Sequence, residues 1–305
     1  MRRLATIALM VMAGTVPTGQ GLGRAQSPSL SAPRLQASVE INSSDVFIYR
    51  YALENGAAST AAIWRMTIDI SLPAGASRPS AVGIAHGPGY FVAELSGPGR
   101  TLTRGEAIAV GLSAPQPGWR TTISTDATAR WIAVNDAALI SPKQRLSGFS
   151  LASHGPPSLR RFTIAPYIDP QLAPVEPPQP DALEVERFQQ DFDRYVESQS
   201  VTGLTLAPSA LQAMTPDALL ANLARQVAQA RTLRWISNDA MTRNVTDKLQ
   251  AARTAIARSQ VDASGNILGA LRTEVAALSG KGFTSEAAAL VDLNIQYVLR
   301  LLAKR

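Results

Sequence analysis

The chain contains no cysteine in 305 residues. That absence excludes a disulfide framework, a thiolate metal site, a cysteine nucleophile and a lipid-modified cysteine. Stability must then come from buried apolar surface, which favours large domains over small ones. Histidine is almost as scarce: the two are His86 and His154, each in a His-Gly-Pro turn. Neither stands in a His-x-x-x-His pair or beside an acid-rich loop, so no metal site and no cofactor are expected. The uncharged, mostly apolar run from Leu4 to Val16 is shorter than the roughly 20 residues a membrane span requires.

A large surplus of charge of one sign is also lacking. Arg2-Arg3 precedes the apolar run, and a polar stretch after it ends in Gly23-Arg24-Ala25. This is the pattern of a cleaved secretory signal over residues 1–25, with Gly23 at −3, Ala25 at −1 and a mature start near Gln26. Leu4-Ala5-Thr6 follows the arginines where a twin-arginine signal carries an apolar pair, so general secretion is expected. Losing Arg2, Arg3 and Arg24 takes Lys+Arg from 29 to 26 against 23 Asp+Glu, and the net charge from +6 to +3. Such a surplus is too mild for a nucleic-acid footprint. The Arg- and Ala-rich composition suits a bacterial chain exported to periplasm, cell surface or medium.

Prolines 174, 177, 178 and 180 remove amide donors and force extended backbone, marking residues 171–180 as a semi-rigid linker. Upstream, β-rich runs at Val46–Tyr51, Ile63–Ile70, Glu106–Leu112, Trp119–Ser124, Thr128–Val134, Leu146–Ala152 and Leu159–Ala165 alternate with Gly/Pro turns. Seven or eight short strands so spaced predict an antiparallel β-sandwich over 35–170, after a flexible N-terminus at 26–34. In the Ile63 run, Trp64, Met66, Ile68 and Ile70 are expected to face the core.

Downstream, 181–305 reads as an all-α bundle. Its stripes are Val185, Phe188, Phe192, Tyr195 and Val196; then Leu220, Leu223, Val227 and Ala230; then Met241, Val245, Leu249, Ala252 and Ile256; then Leu268, Leu271 and Val275; and last Leu290, Tyr297, Val298, Leu301 and Leu302. Thr215-Pro216-Asp217 and Thr284 supply helix starts. Ser264-Gly265 is expected to form a turn between two helices. Acids concentrate in 181–200 and bases in 225–258, so the first helix is expected to pair with the later ones.

Two stretches carry resemblances. Leu139 through Leu151 is similar to a closing strand in exported bacterial β-sandwich proteins, where an Ile-x-Pro-Gly turn leads into Leu-x-Gly-Phe-x-Phe; Lys143 stands at the glycine position. Tyr51-Ala52-Leu53-Glu54-Asn55, then Ile63-Trp64, resembles the opening hairpin of such proteins. Lys248-Leu249-Gln250-Ala251-Ala252, Leu271, Val275, Leu278-Ser279-Gly280-Lys281 and Thr284 through Ala288 resemble a three-helix module of the FIVAR/FIMAH type, over 237–305. The resemblance implies an accessory or adhesive setting and brings no catalytic residue.

Catalytic patterns fail on mechanics. Gly148-Phe149-Ser150-Leu151-Ala152 approaches a nucleophile elbow but runs into Gly-Pro-Pro instead of a helix. Asp262 through Ile267 mimics half a calcium loop, with Gln260 and Leu271 where carboxylates belong. Ser279-Gly280-Lys281-Gly282 lacks the first glycine of a phosphate loop. Sugar recognition needs exposed aromatic platforms; Trp119, after Pro117-Gly118, is the candidate at a loop edge, with Tyr90, His86 and His154 as further candidate binding residues, while Trp64 and Trp131 read as core.

The expectation is an exported, non-catalytic binding or surface-interaction protein with a glycan or cell-envelope polymer as ligand. It carries no nucleic acid partner and no membrane span in the mature chain. The oligomeric state is unknown. The alternatives are a secreted carbohydrate-active hydrolase with carboxylates on the sandwich, and an envelope assembly protein pairing through an edge strand near 35–51.

Overall fold

The computed structural model describes residues 28–43, 45–71, 111–123, 128–169, 182–209 and 215–304. The signal at 1–25, the proline stretch at 171–180, His86 and Tyr90 lie outside these residues.

Two antiparallel sheets come first in the chain and helices dominate its C-terminal part. The four-stranded sheet joins β1 (Arg34–Ile41), β2 (Phe47–Glu54), β7 (Arg145–Ser153) and β4 (Gly111–Ser113) in the order β1-β2-β7-β4. The five-stranded sheet runs β5-β6-β3-β8-β9, from β5 (Trp119–Ile123), β6 (Thr128–Ala133), β3 (Ile63–Asp69), β8 (Pro157–Pro166) and β9 (Val201–Pro208). Rings meet edge-on between the sheets: Tyr51 with Trp131 at 6.0 Å, Trp131 with Phe149 at 6.2 Å and Trp119 with Phe149 at 5.0 Å. Such contacts add to the burial of large apolar side chains.

Residues 28–33, before β1, are hydrogen-bonded to the loop that follows β2. The backbone N–H of Ser29 donates to Thr60 Oγ1 at 3.0 Å and that of Ser31 to Ser59 Oγ at 2.9 Å.

β9 corrects the expected division. Residues 201–208 belong to the supposed helical half, yet they pair with β8 from Pro157↔Pro208 to Ile164↔Val201. Thr-Gly-Leu-Thr-Leu is too short and mixed to separate from a helix connection by pattern, and only the open edge of β8 selects it. Gly203 suits that place because a Cβ there would stand 2.6 Å from the Phe162 ring.

The helices are α1 (Ala182–Gln199), α2 (Pro216–Thr232), α3 (Asp239–Ala257), α4 (Val261–Leu278) and α5 (Ser285–Leu302). Thr215 caps α2 and Thr284 caps α5, each through its hydroxyl oxygen at 3.3 Å. The turn before α4 is at Ser259, whose φ is +60°, and Ser264-Gly265 lies inside the helix. α2 packs against both α3 and α5, so four helices form the bundle. α1 is not among them: it lies against β8.

One contiguous core runs from Tyr49 and Trp131 through Leu206 to Leu220, Leu249 and Val298. Bundle and sheets therefore share their interior. The junction is specific. β3 pairs with 162–166 of β8, so among the described residues the 157–161 half has no strand on that side. Two side chains replace it: Asn294 Nδ2 donates to Pro157 O at 2.7 Å, and Leu159 N–H donates to Gln226 Oε1 at 2.9 Å. Buried backbone groups need partners, and here two helices supply them.

Candidate functional site

Ion pairs consume much of the bundle's charge. Arg253 of α3 grips Asp217 of α2 through Nε at 2.8 Å and Nη2 at 3.2 Å; Arg272 meets Asp292 at 2.6 Å, Arg231 meets Asp239 at 2.6 Å, and Lys248 meets Glu274. The expected pairing of an acidic first helix with the basic ones inside the bundle is corrected, because α1 lies against β8 and the bundle's bases meet Asp217, Asp239, Glu274 and Asp292. A depression between α3 and α4, lined by Met241, Glu274 and Phe283 among others, has about 170 Å³ including space open to solvent. Small-molecule sites span roughly 300–1,000 Å³. Among the described residues no group of three or more histidines and acids is placed to hold a metal ion, and no helix is long and apolar enough to cross a membrane.

The tryptophans exchange the roles their sequence context suggests. Trp119 is only 5% exposed, and its indole N–H donates to Ala138 O at 2.9 Å. It packs on Phe149 and offers no open ring, so its expected exposure at a loop edge is corrected. It follows the Pro117-Gly118 turn, where Gly118 has φ +91°. His154 is half-buried just after β7, with Gly155 beside it accepting from the Tyr49 hydroxyl at 2.7 Å. Trp131 is fully buried, as expected.

Trp64 goes the other way. A register shift between Ile63 and Arg65 breaks the alternation of β3. Ile63, Met66 and Ile68 are buried against the other sheet, while Trp64 and Arg65 together take the outer face. A bulge places two successive side chains on one side, which period-two counting cannot foresee. Arg65 lies over the Trp64 ring, 5.1 Å from its centroid.

Arg130 of β6 joins them. Its neighbours Ala129 and Trp131 are buried on the inner face, so Arg130 points outward, directly across from Thr67. α1 lies along this face through a small cluster of Ala165, Ile168 and Val196, flanked by Trp64, Phe192 and Tyr195. Trp64 Nε1 and Arg65 Nε are buried with no hydrogen-bond partner among the described residues. Burial, and then repulsion from Arg130, pulls the Arg65 guanidinium below its ordinary range; Asp193 and Glu197 of α1 act in the opposite direction. The arrangement holds two clustered cations, an aromatic ring and two unanswered donors. Its chemistry is the recognition of an acceptor group, best an anionic one.

No protein-family model matches the chain, nor does any curated protein.

Proposed function

We propose that this is an exported, non-catalytic binding protein that holds an acidic glycan or cell-envelope polymer on the outer face of its five-stranded sheet. The two sheets would form a β-sandwich that carries the face, with the helical bundle docked at one edge as a rigid support. The supporting observation is the pair of buried donors, Arg65 Nε and Trp64 Nε1, that no acceptor among the described residues meets. Leaving buried donors unmet costs about 1–3 kcal/mol each, and a fold tolerates that where a ligand supplies the acceptor. The Trp64 ring holds Arg65 against its face, and Arg65 and Arg130 add the charge that selects an acidic ligand.

The test is titration of the purified chain with polygalacturonate, a carboxylate-bearing glycan, against neutral dextran. The expected result is binding to the acidic polymer alone, weakened by salt and reduced at least tenfold in Arg65→Gln. Equal binding of both polymers, or binding indifferent to Arg65→Gln, rejects the reading.

A further inference from the structure

We infer that the anion site continues across the five-stranded sheet to Arg120 of β5, and that its ligand is a chain of repeated carboxylates, one meeting Arg65 and another meeting Arg120. The inference rests on the binding role proposed above and adds the form and direction of the ligand.

Charge is shared unequally between the two sheets. The strands of the larger sheet hold Arg65, Arg120, Arg130, Arg160 and Arg161 against a single acid, Asp69. The smaller sheet sets Arg34, Arg50 and Arg145 against Glu40 and Glu54, and Arg50 pairs with Glu40. Arg160 is engaged within the fold, donating from Nε to Asp69 O at 3.2 Å. The cationic surplus therefore belongs to the sheet that carries Trp64 and Arg65.

Strand register fixes where these cations stand. Trp119 is buried on the inner face and Arg120 beside it is exposed, so Arg120 points outward. Arg120 lies directly across from Ile132 of β6, and Ile132 lies directly across from Arg65 of β3. Residues opposite one another on antiparallel strands share a face, so the three make one row across the sheet. Neighbouring strands are about 4.8 Å apart, which sets the backbones of Arg120 and Arg65 about 10 Å apart. Arg130 stands two residues from Ile132, between Thr122 and Thr67, and flanks the row on one side.

That spacing selects the ligand. Arg65 is held over the Trp64 ring, which keeps its guanidinium at β3. A lone carboxylate bonded there leaves Arg120 unused, whereas the next charges along a polyanion pass over half-buried Ile132 and reach it. The direction follows from α1, which lies against β8 and Trp64 and carries the exposed carboxylates Asp193 and Glu197. Arg120 and Thr122 on the far strand are exposed. The chain thus runs from β3 over β6 to β5, away from the acids of α1. A second contact on one bound chain forms at high effective concentration, so even a modest one raises affinity.

The experiment titrates the full chain with polygalacturonate, which has a carboxylate on every sugar, and with galacturonate, its single-sugar unit. Arg120→Gln is compared with Arg34→Gln, which removes the same charge from the smaller sheet. Both arginines are exposed, so folding is expected to be unaffected. Arg120→Gln is expected to weaken the polymer about fivefold, the scale of an exposed ion pair, and to make its binding less sensitive to salt. Binding of galacturonate should not change, and Arg34→Gln should alter neither ligand. If Arg65→Gln weakens the polymer but Arg120→Gln does no more than Arg34→Gln, or weakens both ligands equally, the extended track is overturned while the binding role stands. If Arg65→Gln is also without effect, the binding role falls and the track with it.

Discussion

Asn294 in α5 and Pro157 in β8 lie 137 residues apart and are joined by a 2.7 Å hydrogen bond from the Asn294 amide to the Pro157 carbonyl. The same amide also donates to Leu290 O at 2.7 Å, and Asn294 is 5% exposed. With Gln226 it stands where a neighbouring strand would otherwise pair, so the helical bundle completes the sheet.

Asn294→Ala is expected to cost about 1–3 kcal/mol, because the Pro157 carbonyl stays buried without its donor. At roughly 2–4 °C per kcal/mol for a chain this size, thermal unfolding would report it. Arg50→Ala is the control. Its pair with Glu40 is 52% and 58% exposed, and its loss should cost under about 1 kcal/mol. Gln226→Ala should couple to Asn294→Ala in a double-mutant cycle, since both serve one stretch of β8.

Arg65→Met is expected to leave stability unchanged or raise it by about 1 kcal/mol, since it removes a desolvated charge with an unmet Nε and keeps a straight apolar stem. Acidic-polymer binding should fall in the same protein. Urea unfolding decides it: a loss above about 1 kcal/mol would make Arg65 a structural residue instead.

Tyr49 and Tyr51 are both buried, and Tyr51 donates its hydroxyl to Leu206 O at 3.0 Å. Burial pushes both phenols well above their ordinary range, and for Tyr49 repulsion from Tyr51 adds to it. The folded chain therefore keeps two protons that the unfolded chain releases above about pH 10. Stability is intact below that pH and falls as pH rises further, by up to about 1.4 kcal/mol per pH unit for each tyrosine. The urea midpoint should drop between pH 9 and pH 11, with tyrosinate absorbance from these two rings appearing only as the chain unfolds. Tyr49→Phe with Tyr51→Phe should flatten that drop.

Lys143 occupies the third position of the turn from Ser141 to Gln144, after Pro142, with φ +69° and the Gln144 N–H donating to Ser141 O at 3.0 Å. Proline second and positive φ third describe a type II turn, whose third position favours glycine. Lys143→Gly should therefore stabilise by about 0.5–1 kcal/mol despite the greater freedom of glycine in the unfolded chain. An unchanged or lower urea midpoint would show that strain at this position is already relieved by its contacts.

Much of the architecture is legible as periodicity. β2, β5, β6, β7 and β8 fall on runs that alternation and turn residues mark, and the faces of α2 to α5 follow their apolar stripes, because both patterns are local consequences of backbone geometry. The candidate site was not legible in that way. Counting alternate residues along Ile63–Ile70 sends Trp64 inward with Met66, and a single bulge reverses it. The nearest sequence signal was Trp64-Arg65 itself, an aromatic and a cation side by side where strict alternation would separate them.

Local chemistry alone settled which segments pleat, which coil, where α2 and α5 begin, and that no thiol or disulfide chemistry is available to this chain. Tertiary packing settled the rest. The place of β9, the departure of α1 from the bundle, the opposite fates of Trp64 and Trp119, and the reach of Asn294 to Pro157 all depend on backbone groups and surfaces brought together from distant positions. Such choices are made by which edge or face is left unsatisfied once neighbouring elements are in place, and no window of sequence contains that information.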